Sequence, residues 1–332
     1  MEPNFSIYLD QGLISDLRRN NTRSGQIRVY LNRFESVAFV YSDTHAREIT
    51  RSGRPLEYIE ALEGIGAYYL PPTDLLPKIK DRTSNVQANV VREIVPVELD
   101  FEFKSQLAIE NTLRLLSAVH VCGGFLDLTN ERDQILAAMD KYFDEFRQEV
   151  IALCAGVVDS TALIGQLEKQ MNEAKSSVQA LNTKQLEEEA KDFHENFTKQ
   201  KPVSQAELDQ IPADEVAEYL LSRLPDNEWI KSNYPKGFGQ VQLETGKIAG
   251  FAFLLFSLGV SPLRRPQKGG PANYLRRFVA QYRDCEHIEH ATRCHWFLTK
   301  DKGAARLARA TYSYAGIPTE VAILEYVDQK KI

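Results

Sequence analysis

Four acidic residues lie either at the ends of predicted strands or on the helices next to them. Asp10 closes the apolar segment FSIYLD, and Asp301 follows the apolar segment CHWFLT after one intervening residue. Glu48 lies on the predicted helix after the segment VAFVYS, and Asp284 begins the predicted helix that leads into CHWFLT. In an open parallel sheet, ligands bind outside the carboxyl ends of the strands. The sequence therefore predicts that all four carboxylates converge at one edge of a sheet.

Such a group of acids has a definite chemistry. Four carboxylates at one edge would repel one another unless they bind a cation or a proton. Oxygen-only ligands suit hard divalent ions, so the predicted cofactor is Mg²⁺ or Mn²⁺. Such an ion lowers the pKa of a bound water and neutralises charge on a leaving oxygen. The predicted reaction is hydrolysis of a phosphodiester bond without a nucleophile from the protein.

Each acid also has a purely structural interpretation. Asp284 could cap the N-terminus of a helix, and Asp301 could cap the helix that begins near Gly303. Glu48 could be a solvated charge on a helix face. Asp10, at the end of a buried strand, is the hardest of the four to explain structurally. The convergence of all four carries more weight than any one of them.

The elements that would position these acids alternate between strand and helix. FSIYLD and VAFVYS are short, apolar and rich in β-formers, and helical segments follow them, LISDLRRN and DTHAREITRSG. Gly53 is expected to end the second helix, and Ser42 or Asp43 to cap its start. The alternation returns in DCEHIEHATR, CHWFLT, KGAARLARATYSYAG and TEVAILEYV. This pattern predicts an α/β fold with a parallel sheet covered by helices on both faces.

A more polar, mostly helical stretch separates the two halves. We expect residues 1–99 and 236–332 to form one domain, and residues 100–235 to be an insertion into it. In the insertion, apolar residues recur at the spacing of a coiled coil. We expect this arm, within residues 160–200, to pack on its own domain or to bind a second copy or a regulatory protein. The apolar positions are Ile164, Leu167, Met171, Ala174, Val178 and Leu181, and the pattern resumes at Leu186.

Composition restricts the class of protein. Of the 332 residues, 43% are apolar, which is enough for a hydrophobic core. A net charge of −6 argues against a protein that coats nucleic acid through a uniformly basic surface. The longest apolar stretch, Ile248 to Val260, is too short to span a bilayer, and MEPNFSIYLDQG lacks the pattern of a secretory signal. We therefore expect a cytoplasmic protein with reduced cysteines and no membrane contact.

Three segments resemble the motifs of bacterial PIN-like nuclease domains. In that family an Asp closes the first strand, and a helix with the pattern S-x-x-H-x-x-E-I supplies a second acid. A late D-x-x-H-x-x-x-A helix leads to a strand that ends T-x-D. The matching segments here are IYLDQGLISDL, VYSDTHAREI and DCEHIEHATRCHWFLTKD. The resemblance covers roughly residues 5–65 and 240–325 and leaves the central insertion unexplained.

The resemblance implies a PIN-like fold with the four acids as catalytic residues and metal ligands: Asp10, Glu48, Asp284 and Asp301. It implies supporting roles for His45, Asp43, His287 and Thr299. Members are typically ribonucleases, often toxins or components of bacterial antiphage defence, so RNA is the expected substrate and DNA the alternative. Many members follow the first Asp with a small hydroxyl residue and Asn, whereas this chain has Gln11 and Gly12. That departure favours a second hypothesis, a catalytically weak PIN-like module that acts in assembly or regulation through the helical arm.

Two further clusters leave alternatives open. Basic residues surround the loop PQKGGP and could hold a nucleic-acid backbone or form a solvated surface; they are Arg264, Arg265, Lys268, Arg276 and Arg277. The run Cys285, His287, His290, Cys294 and His295 invites a zinc interpretation, but no second pair with zinc-ligand spacing accompanies it. The first strand is not followed by Asp-x-Asp, and there is no GxxxxGK[ST] loop. Haloacid-type phosphatases and P-loop NTPases are therefore disfavoured.

Overall fold

The computed structural model describes most of the two chain halves and parts of the stretch between them. The described residues are 5–19, 21–34, 36–76, 160–180, 182–185, 188, 203–224, 228–261 and 270–326, with six residue pairs between 132 and 152. Contacts divide the chain into two compact units. The first comprises Met1–Glu98, Lys201–Arg265 and Ala280–Ile332, and the second comprises Leu99–Gln200 and Pro266–Val279. Residues 201–235, which the sequence analysis assigned to the insertion, thus group with the first unit.

A five-stranded parallel sheet forms the centre of the first unit. Its strands are β1 (Phe5–Leu9), β2 (Val37–Ser42), β3 (Tyr68–Leu70), β6 (Trp296–Thr299) and β7 (Glu320–Ile323), in the order β3-β2-β1-β6-β7. The register places Phe5 opposite Val37 and Ile7 opposite Trp296. A separate antiparallel pair joins β4 (Leu75–Leu76) to β5 (Leu243–Glu244). The predicted α/β fold with a parallel sheet flanked by helices is confirmed.

Helices follow the strands as the alternating sequence pattern predicts. The first four are α1 (Gln11–Arg18), α2 (Thr22–Leu31), α3 (Asp43–Arg51) and α4 (Pro55–Glu63). The described part of the second unit contains α5 (Ser160–Gln179). Next come α6 (Gln205–Leu208), α7 (Val216–Arg223), α8 (Glu228–Asn233), a 3-10 turn (Phe238–Gln240) and α9 (Lys247–Ser257). The last two are α10 (Gly270–Ala291) and α11 (Lys302–Ala315).

Both faces of β1 are covered, which explains why its sequence is mostly apolar. Ser6, Ile7, Tyr8 and Leu9 are each at most 1% exposed. Ile7 and Leu9 belong to a core cluster with α1 and α2, whereas alternation along the strand turns Tyr8 to the opposite face. A tyrosine hydroxyl buried in this way must find hydrogen-bond partners inside the protein.

The helix that carries Asp284 is longer than predicted. α10 begins at Gly270, so Asp284 lies well inside the helix, and both its predicted place at the helix start and its interpretation as a cap are wrong. Pro271 is tolerated in the first turn, where its missing N–H has no intrahelical acceptor to lose. No Gly or Pro lies between Pro271 and Asp284 to end the helix. Residues 266–269 of the predicted loop lie outside the described residues.

Two other helical predictions can be compared with the structure. The apolar stretch from Ile248 is a core helix, since α9 buries Ile248, Phe251 and Leu255 completely. Among the described residues, no helix has the length and apolar character needed to cross a membrane. In the arm, the positions from Ile164 to Val178 are helical, whereas Leu181 and Leu186 lie outside the described residues.

Candidate active site

The strand order creates a topological switch point between β1 and β6. From β1 the chain proceeds to β2 and β3 on one side, whereas β6 and β7 lie on the other side. Ligand sites in open α/β sheets form in the crevice outside the carboxyl ends of the strands at such a point. Asp10 directly follows β1, and Asp301 follows β6 after Lys300. Both acids therefore lie at the place where the fold predicts a site.

A chain of hydrogen bonds joins these two strand ends. The Asp10 N–H donates to the Leu298 carbonyl at 2.9 Å and extends the parallel ladder by one residue. Thr299, which is fully buried, donates its hydroxyl to Asp10 Oδ2 at 2.7 Å and accepts the Asp301 N–H at 2.9 Å. Thr299 thus fixes the Asp10 carboxylate relative to the backbone of Asp301.

Asp301 has the capping role that its sequence position allowed. Its Oδ1 accepts the backbone N–H groups of Gly303 and Ala304 at 2.6 and 3.0 Å, at the N-terminus of α11. An acidic side chain is favourable there because it satisfies unpaired N–H groups and faces the positive end of the helix dipole. Asp301 is nevertheless exposed, so its carboxylate remains accessible at the crevice.

Glu48 is paired on both carboxylate oxygens. Arg283 Nη1 donates to Oε1 at 2.9 Å, and His287 Nε2 donates to Oε2 at 3.0 Å. Only 14% of the Glu48 side chain is exposed, so its interpretation as a solvated surface charge is wrong. Burial alone would raise the pKa of Glu48, but the hydrogen bonds and charge interactions with His287 and Arg283 bring it below its usual value.

The pKa values of Asp284 and Asp10 are shifted in the opposite direction to that of Glu48. Burial raises the pKa of Asp284 well above its ordinary value, and the negative charges of Asp10, Asp301 and Glu48 raise it further. The pKa of Asp10 is also raised, chiefly by burial and further by Glu48 and Asp301, although His287 and Thr299 oppose the shift. The structure therefore brings the four predicted acids into one electrostatic environment.

A buried network of polar side chains holds His287, the hydrogen-bond partner of Glu48. The Tyr8 hydroxyl lies 2.8 Å from His287 Nδ1 and 2.8 Å from Ser42 Oγ. A carboxylate can only accept, so His287 Nε2 carries the hydrogen that points at Glu48. The other ring nitrogen, Nδ1, shares a hydrogen bond with the Tyr8 hydroxyl. The network fixes the ring of His287 and thereby orients Glu48.

Sequence reasoning missed three residues of this assembly: Tyr8, Ser42 in its bond to Tyr8, and Arg283. Tyr8 carries a usable signal, because a tyrosine hydroxyl in a strand that is buried on both faces needs a hydrogen-bond partner inside the protein. Arg283 and Glu48 are separated by 235 positions, so no local pattern could pair them.

His45 and Asp43 have local partners. His45 Nδ1 accepts the Ser42 N–H at 3.0 Å, completing a capping box on α3, and Nε2 donates to the Leu9 carbonyl at 2.7 Å. Burial lowers the pKa of His45 well below its usual value, which favours the neutral ring that these bonds require. Asp43 pairs with Arg47 at 3.0 Å and lies 3.3 Å from His290.

The donor set at the crevice suits a hard divalent cation. Asp10 accepts one side-chain hydrogen bond, and no described residue donates one to the Asp284 carboxylate, so their charges are poorly compensated. In the described part of the chain, however, no three acidic, histidine or cysteine side chains are placed to ligate one ion together. Both oxygens of Glu48 already hold other partners. Joint ligation would require Glu48 to exchange one of them.

The alternative zinc cluster does not form a site among the described residues, and the side chains of the basic cluster lie outside them. The histidines of the possible zinc run have separate partners, because His290 lies 3.1 Å from Thr44 Oγ1 and His295 lies 3.0 Å from Ser6 Oγ. Cys285 and Cys294 are free and buried. The predicted nucleic-acid-binding residues Arg264, Arg265 and Lys268 lie outside the described residues, as do the side chains of Arg276 and Arg277.

Comparison of the chain with protein-family models, with curated proteins and with solved structures gives no match. The PIN-like assignment accordingly stays a prediction from the three sequence motifs.

Proposed function

We propose that this protein is a metal-dependent nuclease of the PIN-like type, which hydrolyses phosphodiester bonds in RNA. One observation carries the proposal: four carboxylates share one electrostatic environment at the switch point of the sheet, and burial and mutual repulsion raise the pKa of two of them. A region built only for stability would pair such charges, whereas perturbed carboxylates in a crevice are typical of functional sites. The choice of RNA over DNA, and a role as a toxin or antiphage defence effector, rest on the motif resemblance.

The proposed cofactor is Mg²⁺ or Mn²⁺, held by Asp10, Glu48, Asp284 and Asp301. When bound, such an ion supplies an activated water and neutralises charge on the phosphodiester. The protein's own contribution is orientation. Thr299 holds the Asp10 carboxylate, and the network behind His287 holds Glu48. Held in this way, Asp10 needs little reorganisation during the reaction, which favours electrostatic catalysis. Glu48 must first exchange one of its two partners.

The proposal predicts metal-dependent cleavage that depends on the two strand-end acids. Labelled single-stranded RNA, single-stranded DNA and duplex DNA would be incubated with the purified full-length protein and Mn²⁺, Mg²⁺ or EDTA. We expect cleavage of RNA with either metal and none with EDTA. Asp10→Asn and Asp301→Asn should each lower the rate by at least about a hundredfold. Asp74→Asn is the matched control, because it removes an exposed carboxylate that has no role in the proposed site.

The substrate that is cleaved, and the effect of EDTA, distinguish the possible outcomes. Cleavage of DNA but not RNA would keep the nuclease and reject the RNA assignment. Full activity in Asp10→Asn, or activity that persists in EDTA, would reject the metal-dependent site.

A second candidate is a catalytically weak module that acts through assembly, and the pairing of both Glu48 oxygens favours it. It predicts no cleavage and an oligomer that depends on the arm. The test is the mass of the protein in solution, measured by light scattering, with Met171→Lys and Val178→Lys in the apolar positions of α5. An unchanged mass in both variants would count against this candidate.

A further inference from the structure

Arg283 places a positive charge inside the acidic crevice. It directly precedes Asp284 on α10, and its Nη1 lies 2.9 Å from Glu48 Oε1. Only 19% of its side chain is exposed. A guanidinium in this position compensates part of the negative charge that the four acids create, so it stands where a bound cation would also be attracted.

The pair that Arg283 forms with Glu48 is incomplete. The strongest guanidinium–carboxylate pairs use two parallel hydrogen bonds. Here His287 occupies the second oxygen of Glu48, so Arg283 makes one contact to that carboxylate. The Nε of Arg283 is buried and has no hydrogen-bond partner among the described residues. Arg283 therefore retains donor capacity that Glu48 does not use.

We propose that Arg283 is a catalytic residue that exchanges Glu48 for the phosphate of the substrate when a divalent cation binds. This inference rests on the proposed nuclease function. If a divalent cation were held at the crevice, Glu48 would be one of its ligands. Arg283 would then give up its contact with Glu48 Oε1 and would remain beside the crevice, because it directly precedes Asp284 on α10. Its planar fork matches two phosphoryl oxygens, and a single point charge such as lysine does not.

In this reaction Arg283 stabilises charge and is not consumed. A water oxygen forms a bond to phosphorus, the bond from phosphorus to one ester oxygen breaks, and a proton from the water ends on that ester oxygen. The leaving oxygen carries more negative charge in the transition state than in the bound substrate. A guanidinium placed against that oxygen therefore lowers the barrier more than it strengthens substrate binding.

The exchange predicts opposite effects on metal binding and on turnover. Arg283→Met removes the competitor for Glu48, so the affinity for Mn²⁺ should rise by about tenfold. The same variant lacks the stabilising fork, so kcat should fall by about a hundredfold or more. Arg283→Lys keeps the charge and loses the fork, so its Mn²⁺ affinity should stay near that of the wild type while kcat recovers only in part. A residue that only stabilised the fold would not raise metal affinity.

The test combines calorimetric titration of Mn²⁺ without nucleic acid and steady-state cleavage of labelled RNA at saturating Mn²⁺ and RNA, which gives kcat. Arg54→Met removes the same charge from a side chain that is 65% exposed and serves as the matched control. Thermal denaturation checks folding, and Arg283→Gln replaces Arg283→Met if the latter does not fold. Tighter Mn²⁺ binding with slower cleavage supports the exchange.

Two results would overturn the exchange and also separate it from the proposed function. If the wild type cleaves RNA and Arg283→Met binds Mn²⁺ no more tightly, or cleaves equally fast, only the role of Arg283 is rejected. If the wild type neither binds Mn²⁺ nor cleaves RNA or DNA, the nuclease function is rejected and the exchange with it.

Discussion

Two buried aspartates on the same strand–helix unit have opposite environments. Asp16, on α1, is fully buried, and its carboxylate accepts hydrogen bonds from three side chains: Lys300, Tyr326 and Arg19. Burial would raise its pKa, but the bonds from Lys300 and Tyr326 and the charges of Lys300 and Arg19 bring it below the usual value. Asp10 is 6% exposed, accepts one side-chain hydrogen bond, and has a raised pKa.

The number of hydrogen-bond partners thus distinguishes a carboxylate that stabilises the fold, Asp16, from one that destabilises it, Asp10. The fold surrounds Asp16 with donors, which shows that this region can neutralise a buried acid. It places further acids around Asp10 instead, and these raise the cost of keeping Asp10 ionised. Carboxylates whose surroundings shift their pKa values in opposite directions are expected to have different roles. We infer that Asp16 belongs to the scaffold and Asp10 to the site.

The largest expected effect is on stability, and it distinguishes the two residues directly. Asp16→Asn leaves the positive charge of Lys300 without its partner and should lower the free energy of unfolding by about 3 kcal/mol. Asp10→Asn keeps an acceptor for Thr299 and relieves repulsion, so it should change that free energy by less than about 1 kcal/mol. Urea denaturation measures both, with Asp74→Asn as the exposed control. Equal losses in the two variants would remove the distinction.

The pH dependence of stability should show the same contrast with a smaller effect. The pKa of Asp16 in the folded protein lies below its unfolded value, so its contribution is complete above the unfolded value and is lost as pH falls through the folded pKa. The pKa of Asp284 is raised, so its protonated form favours the folded state and stability declines as pH rises through the folded pKa. The slope for one such group reaches about 1.4 kcal/mol per pH unit.

Denaturation midpoints in a series of buffers from about pH 3 to pH 8 test this prediction. Asp284→Asn should flatten the decline toward high pH, and Asp16→Asn should flatten the loss at the acid side. A wild-type curve whose decline toward high pH is unchanged in Asp284→Asn would show that another group causes it.

The sequence was sufficient for the parallel sheet without β3, and for the positions of Asp10 and Asp301 at its edge, because both depend on local pattern. Short apolar strands that end in Asp10 or are soon followed by Asp301 place those residues at one edge in any parallel arrangement. The edge strand β3 was missed, since Tyr68–Leu70 is only three residues long and half-buried. The start of α10 was missed because a Pro–Gly-rich segment precedes it and the first turn tolerates Pro271.

The partners of the acids could not be predicted, because they depend on contacts between distant parts of the chain. The bond between Lys300 and Asp16 joins positions separated by 284 residues, and no spacing rule connects them. Only the folded chain therefore decides which carboxylate gains positive or hydrogen-bonding partners and which one lies near other negative charges. For this reason the four acids could be proposed as a group from the sequence, whereas the contrast between Asp10 and Asp16 could not.

Gly12 lies between the two aspartates, and its replacement tests whether their environments are coupled. A Cβ at Gly12 would lie 3.0 Å from Cε of Lys300, the partner of Asp16, and 3.2 Å from Oδ2 of Asp10. In α1 an Ala gains helix propensity, so Gly12→Ala should leave the free energy of unfolding within about 1 kcal/mol of the wild type. The methyl group must shift Lys300 or the Asp10 carboxylate, and we expect RNA cleavage to fall by about tenfold.

Gly25→Ala is the control, because a Cβ at this helical position meets nothing within 4 Å. Full activity in Gly12→Ala, with a gain in stability equal to that of Gly25→Ala, would mean that Lys300 moves aside freely and that the two carboxylates are independent.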